Sequence, residues 1–141
     1  MFEDADCSVI AISAERTFWE KATILHQQAH RTSAMPPRYS RHYYDMCMLV
    51  GSQVKESALA DLRLLEDVIA FKQRFYPSRW ARYEEARPGT FKLLPRAARL
   101  DELRRDYRGM GVIVFGEAPA FDFIIETLRR LEEEINQLAS P

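Results

Sequence analysis

A lysine and an aspartate, Lys21 and Asp45, stand out among the residues able to do chemistry. Lys21 sits in ERTFWEKATILH, beside an apolar stripe of Phe18, Ala22, Leu25 and Ala29. Asp45 lies in RYSRHYYDM (38–46), a stretch crowded with Arg38, Arg41 and His42. A lysine at the edge of a helix face can hold phosphate oxygens as a point charge. A carboxylate can take a proton from an attacking hydroxyl or help to hold a cation. Each has a plainer reading. Lysines on helices are usually solvated, and an aspartate in an early helical turn favours the helix dipole. Arg38, Arg41 and His42 crowd a helix N-terminus that already carries partial positive charge, which calls for a nearby phosphate or carboxylate. Alternatively Asp45, four residues after Arg41, pairs with it on the helix surface for ~0.3–0.5 kcal/mol.

The elements that must position these residues are mostly helical. CSVIAIS (7–13) reads as a short strand, and Ser13 can cap a helix through AERTFWEKATILHQQAH. Pro36-Pro37 makes RTSAMPPRY a linker. Ser40 can cap the next helix, with Gly51 as its stop. Ser57 can cap a long third helix through ALADLRLLEDVIAFKQRF, with Leu59, Leu62, Leu65 and Ile69 on its core face and Pro77 closing it. SRWARYEEA (78–86) reads as a short helix and RPGTFKLLP as a turn with an extended piece. ARLDELRRDYRGM is helical, GVIVFGEAP (111–119) a loop or short strand, and a last helix from Pro119 carries Phe123, Leu128, Leu131, Ile135 and Leu138. If the first two long helices pair antiparallel across the Pro-Pro linker, Lys21 and Asp45 differ in height by about one turn and can border one cleft.

A chain of 141 residues with 47% apolar residues suits a single helical domain over 1–141, mainly α with one or two short strands. Lys+Arg 20 against Asp+Glu 21 gives no global pull toward nucleic acid, so any such contact must be a local patch. Cys7 and Cys47 form no disulfide framework and read as reduced cytosolic thiols, placing the chain in the cytoplasm. No apolar run is long enough to span a bilayer. His26 and His30 have i,i+4 spacing but lack a third ligand, and read as surface histidines. Asp4-Ala5-Asp6 precedes any strand, and Gly51-Ser52 falls at a helix end, so neither makes a metal pair or phosphate turn. No Gly-rich phosphate loop or nucleophile elbow is present.

ERTFWEKATILH, RYSRHYYDM, FYPSRWARYEEARPGTFKLLP, DYRGM, FGEAPAFDFI and a closing EEEIN together resemble the C-terminal half of the AbiEii/AbiGii nucleotidyltransferase toxins. These belong to bacterial type IV toxin–antitoxin and phage-abortive systems. The similarity covers nearly the whole chain, and FWEK followed by R-x-x-R-H-x-Y-D is specific in this order and spacing. The resemblance implies a helical half that completes a nucleotidyltransferase fold bearing a Gly-Ser turn and a metal-binding Asp-x-Asp. Lys21 would contact the triphosphate, Asp45 would activate the acceptor hydroxyl, and Arg38, Arg41 and His42 would flank the pocket. The donor would be a nucleoside triphosphate with Mg²⁺ and the acceptor RNA or protein. Only twenty residues precede Lys21, too few for the metal-binding half. The expectation is therefore a truncated or split enzyme, inactive alone, without a cofactor of its own, and completed by a missing N-terminal half. The alternative is a non-enzymatic helical module that binds an antitoxin or a second copy, its orphan strand edge favouring a partner.

Overall fold

Ser13 Oγ accepts the Arg16 backbone N–H at 3.0 Å, the N-cap bond expected of it. Helix α1 then runs Ala14–Ala29. The computed structural model describes residues 13–33, 35–110 and 119–139. Within them follow α2 (Ser40–Val50), α3 (Val54–Leu59), α4 (Leu62–Phe75), α5 (Leu100–Gly109) and α6 (Phe121–Gln137), with 3₁₀ turns at Tyr83–Glu85 and Ala97–Arg99. The fold is mainly α, as the periodicity predicts, and the described residues form no strand. The strands expected at 7–13 and 111–119 fall outside the described residues except for Ser13 and Pro119. No helix among the described residues is long and apolar enough to cross a membrane.

Helix α1 is the hub. It packs on α2, α3 and α4, while α2 also meets α5 and α6. The stripe of Phe18, Ala22, Leu25 and Ala29 is buried as its spacing predicts, and Trp19 is buried with it. The Trp19 indole N–H donates to the Ala58 carbonyl at 3.0 Å, which pins α3 to the hub and satisfies a buried donor. On α6 the core positions are Phe121, Ile124, Ile125, Leu128, Leu131 and Ile135. Phe123 and Leu138, expected on that face, are exposed.

Several local expectations are overturned by partners distant in sequence. The long third helix is broken: Ser57 lies inside α3, and Asp61 caps α4 by accepting the Leu64 N–H at 3.3 Å. Leu65 on α4 is buried, with Leu59, Leu62 and Ile69 half-buried against the core. Ser40 is not a cap but the first residue of α2, and its Tyr39 N-cap makes no side-chain bond. The cap comes from α5. Asp106 accepts the Arg38 N–H at 2.7 Å, the Ser40 N–H at 2.9 Å and the Ser40 hydroxyl at 2.6 Å. The helix expected over 78–86 shrinks to the turn Tyr83–Glu85, because Arg82 takes a left-handed φ of 51° that no helix continues through.

After a turn at 88–90, residues 91–94 run without regular structure along α1 and α6 as a strap whose backbone bonds are supplied by side chains. The Asn136 carbonyl oxygen accepts from Gly89 and Phe91 N–H, and its amide donates back to Phe91 O. Glu132 accepts from Leu93 and Leu94 N–H. Gly89 enters this strap at φ +104°, where an L side chain would be strained. The strap drives Phe91 and Leu93 fully into the core. It also corrects the expectation of a surface His26. That ring is fully buried, accepts the Lys92 N–H on Nδ1 at 3.0 Å and donates from Nε2 to Arg82 O at 2.8 Å. Burial, first of all, pushes its pKa down to about 4.

Candidate functional site

Helices α1 and α2 lie side by side and bring their two chemical residues together. Lys21 Nζ is 3.3 Å from Asp45 Oδ2, and each side chain keeps 29% of its exposure. Neither is sealed in the core. The start of α2 is held to α5 by the Asp106 clamp on Ser40, five residues before Asp45. Arg38 begins this approach in the left-handed region at φ 62°, which turns the chain from the Pro-Pro linker into the helix.

His42 lies one turn before Asp45, at i,i+3 spacing. Its ring meets Tyr39 edge-on at 4.5 Å, and its Nδ1 is buried without a hydrogen-bond partner among the described residues. Burial is the largest cause lowering its pKa. The charge of Lys21 adds to the effect, Asp45 opposes it, and Lys72 and Arg41 push further down. His42 is therefore held neutral within the field of both site residues.

Lys72, on the last turn of α4, shares a cavity with Ile24 and Gln27 of α1, a neighbourhood that sequence reasoning missed. Burial lowers its pKa, opposed by the carboxylate of Glu20 next to Lys21. In sequence it looks like any cation that complements a helix C-terminus, and no local signal sets it apart.

The basic cluster of RYSRHYYDM divides. Arg41 is exposed and forms no ion pair among the described residues, so its pairing with Asp45 is not made and Lys21 is the partner instead. Arg38 is exposed, and its backbone N–H is held by Asp106. The anion that relieves the crowded start of α2 is thus a carboxylate, that of Asp106. Burial raises the Asp106 pKa, but hydrogen bonds from Ser40 and Arg38, with the Arg38 charge, together outweigh it and leave the group below its ordinary value.

The surroundings of Asp45 do not fit a divalent cation. Among the described residues no three His, Cys, Asp or Glu side chains gather as a metal-binding group. A single carboxylate already paired with an ammonium is a poor site for such an ion. His26 and His30 stack edge to face at 4.8 Å, but both ring nitrogens of His26 are already used. Asp4, Asp6 and Cys7 lie outside the described residues. Cys47 is a free thiol, and burial raises its pKa. Four cavities of about 260 to 430 Å³ are lined by other residues than Lys21 and Asp45. The pair is partly exposed where α1 and α2 meet.

A sequence model of one family, described as the nucleotidyl transferase AbiEii toxin of a type IV toxin–antitoxin system, matches residues 1–127. The chain belongs to the AbiEii nucleotidyl transferase toxin family. No curated protein and no solved structure matches it. In this AbiEii family member the partly exposed Lys21–Asp45 pair holds only modest energy, about 1 kcal/mol or less.

Proposed function

We propose that this AbiEii family chain supplies the helical side of a nucleotidyl-transfer site, with a nucleoside triphosphate as donor and RNA or protein as acceptor. The observation that carries this reading is the 3.3 Å separation of Lys21 and Asp45, both reachable from solvent. Lys21 holds triphosphate oxygens. Asp45 accepts the proton of the acceptor hydroxyl as its oxygen bonds to the α-phosphorus. The bond from the α-phosphorus to the bridging oxygen breaks, and pyrophosphate leaves. Neutral His42 adds no competing charge, and Arg41 and Arg38 border the approach. On this reading a separate nucleotidyltransferase unit supplies the metal-binding carboxylates; it is supported by the lack of a group of three possible metal ligands among the described residues.

The test is label transfer from nucleotides with Mg²⁺ and RNA, for residues 1–141 alone and with a metal-binding half added. No transfer is expected alone, and transfer on addition. Lys21→Ala and Asp45→Ala should each lower the completed rate by about 10²–10⁴-fold, with the double variant little worse than either. Labelling that survives both substitutions would overturn the assignment. A second reading, a non-enzymatic module that binds an antitoxin or a second copy, is favoured by the apolar cavity of about 430 Å³ that Met48, Val50 and Phe123 line. On that reading Phe123→Ser abolishes complex formation while the site variants leave it intact.

A further inference from the structure

The stretch FKQRFYPSRWAR (71–82) differs from the rest of the chain. Lys72, Arg74, Arg79 and Arg82 fall in it without a carboxylate, in a protein of net charge -1; Arg82 pairs with Glu85 just beyond it, and Arg74 and Arg79 form no ion pair among the described residues. Its Phe71, Phe75, Tyr76 and Trp80 are 42%, 57%, 64% and 40% exposed. Such a concentration of exposed rings marks an interaction surface. Guanidinium groups lie over these rings: Arg16 over Phe71 at 5.6 Å, Arg74 over Phe75 at 5.4 Å and Arg31 over Trp80 at 5.5 Å. Phe71 stands 4.8 Å from Phe75 and 6.3 Å from Tyr76.

Arg16 belongs to the first turn of α1 and Arg31 lies just past its end, so the aromatic row follows that helix for about 22 Å. Midway, Lys72 and Tyr76 line a cavity of about 270 Å³ with Ile24, Gln27 and Tyr83. Ile24 of that cavity lies one helical turn beyond Lys21 on α1, so the row runs beside the Lys21–Asp45 pair.

We propose that this row is a track for single-stranded RNA, which stacks bases on Phe75, Tyr76 and Trp80 and lays phosphates along Lys72, Arg74 and Arg79. The proposal rests on the nucleotidyl-transfer reading and gives its acceptor a path to Asp45. Flat π-faces interleaved with cations suit a strand of bases and phosphates. Aromatics with arginine also mark protein interfaces, but a run of cations without a carboxylate of its own favours a polyanion. About 22 Å accommodates roughly six stacked nucleotides at 3.4 Å each.

The chain holds two tryptophans, and Trp19 is fully buried, so quenching by bases reports Trp80. Titration of residues 1–141 with a 12-nucleotide oligouridylate should quench fluorescence saturably, and binding should weaken as salt rises. Phe75→Ala/Tyr76→Ala should bind about tenfold or more weakly with an unchanged melting temperature, and an RNA duplex should bind poorly because its bases are already stacked. Binding unaffected by the double substitution, or equal for duplex, would reduce the surface to non-specific charge and overturn the track. So would a double variant that binds RNA normally but dissociates a self-associated form in sedimentation, which would make the patch a protein interface. This titration needs neither nucleotide nor the metal-binding half. Absent binding alongside intact transfer sinks the track alone. Intact binding alongside absent transfer sinks the catalytic reading alone.

Discussion

Lys21 and Asp45 are close enough to hold each other and exposed enough to let go, and that balance decides how their substitutions behave. A partly solvated pair at 3.3 Å contributes about 1 kcal/mol or less. Asp45→Ala should therefore fold normally, its melting temperature lowered by no more than about 3–5 °C. A larger drop in calorimetry would make Asp45 a structural residue and remove the basis of the site. His26 is the opposite case, a fully buried ring whose pKa is about 4 in the folded chain against an ordinary 6.5. Because the unfolded chain binds the proton more readily, this contribution is complete above pH 6.5 and is lost as pH falls toward 4. The loss is on the order of 3 kcal/mol. Urea unfolding at pH 7 and pH 4.5 measures it, and an NMR titration of the His26 ring near 6.5 would contradict it. The spacing of His26 and His30 was legible in sequence, but their surroundings were not. Burial of His26 follows from Lys92 N–H and Arg82 O, which lie 66 and 56 positions away.

At the scale of elements, a cap could be read where donor and acceptor are near in sequence. Ser13 bonds Arg16 three residues on, and the motif is visible in the letters alone. The cap of α2 was invisible because Asp106 lies 66 positions from Ser40. The break between α3 and α4 was concealed differently: ALADLRLL keeps an apolar helical pattern across it, and only Asp61, a good N-cap type, betrays the restart. Asp106→Ala should cost about 1–2 kcal/mol, since it leaves the Arg38 and Ser40 amides and the Ser40 hydroxyl without their acceptor. Its depressed carboxyl makes the contribution complete above the unfolded value near 3.8 and lost as pH falls through the lower folded value, an acid window below that of His26. Chemical denaturation of the variant checks the magnitude, and a change under about 0.3 kcal/mol would show that α2 is held by packing alone. The same substitution should lower transfer in the completed enzyme, because the start of α2 sets the position of Asp45.

For the whole molecule, the mainly helical architecture and the joining of α1 to α2 were legible because they follow from apolar periodicity and one Pro-Pro linker. What no periodicity encodes is that α1 would become the hub on which α2, α3 and α4 all rest. Phe18 and Ala22 mark one buried face, while Trp19 beside them reaches another neighbour through Ala58 O. A helix buried by three others cannot loosen without releasing them, so unfolding should be a single cooperative step. Trp80→Phe, at an exposed position, leaves Trp19 as the sole indole and turns fluorescence into a report on the hub. Its urea transition should coincide with that of far-UV circular dichroism. A Trp19 transition that runs ahead of the dichroism would mean the other helices stand without α1. Trp19→Phe in the same background keeps most of the packing but leaves the Ala58 carbonyl without its donor, and should lower stability by about 1–3 kcal/mol. Because α1 carries Lys21 and flanks the aromatic row, such a loss at the hub should weaken the transfer site and the RNA track together, whereas Phe75→Ala/Tyr76→Ala weakens the track and leaves the fold intact.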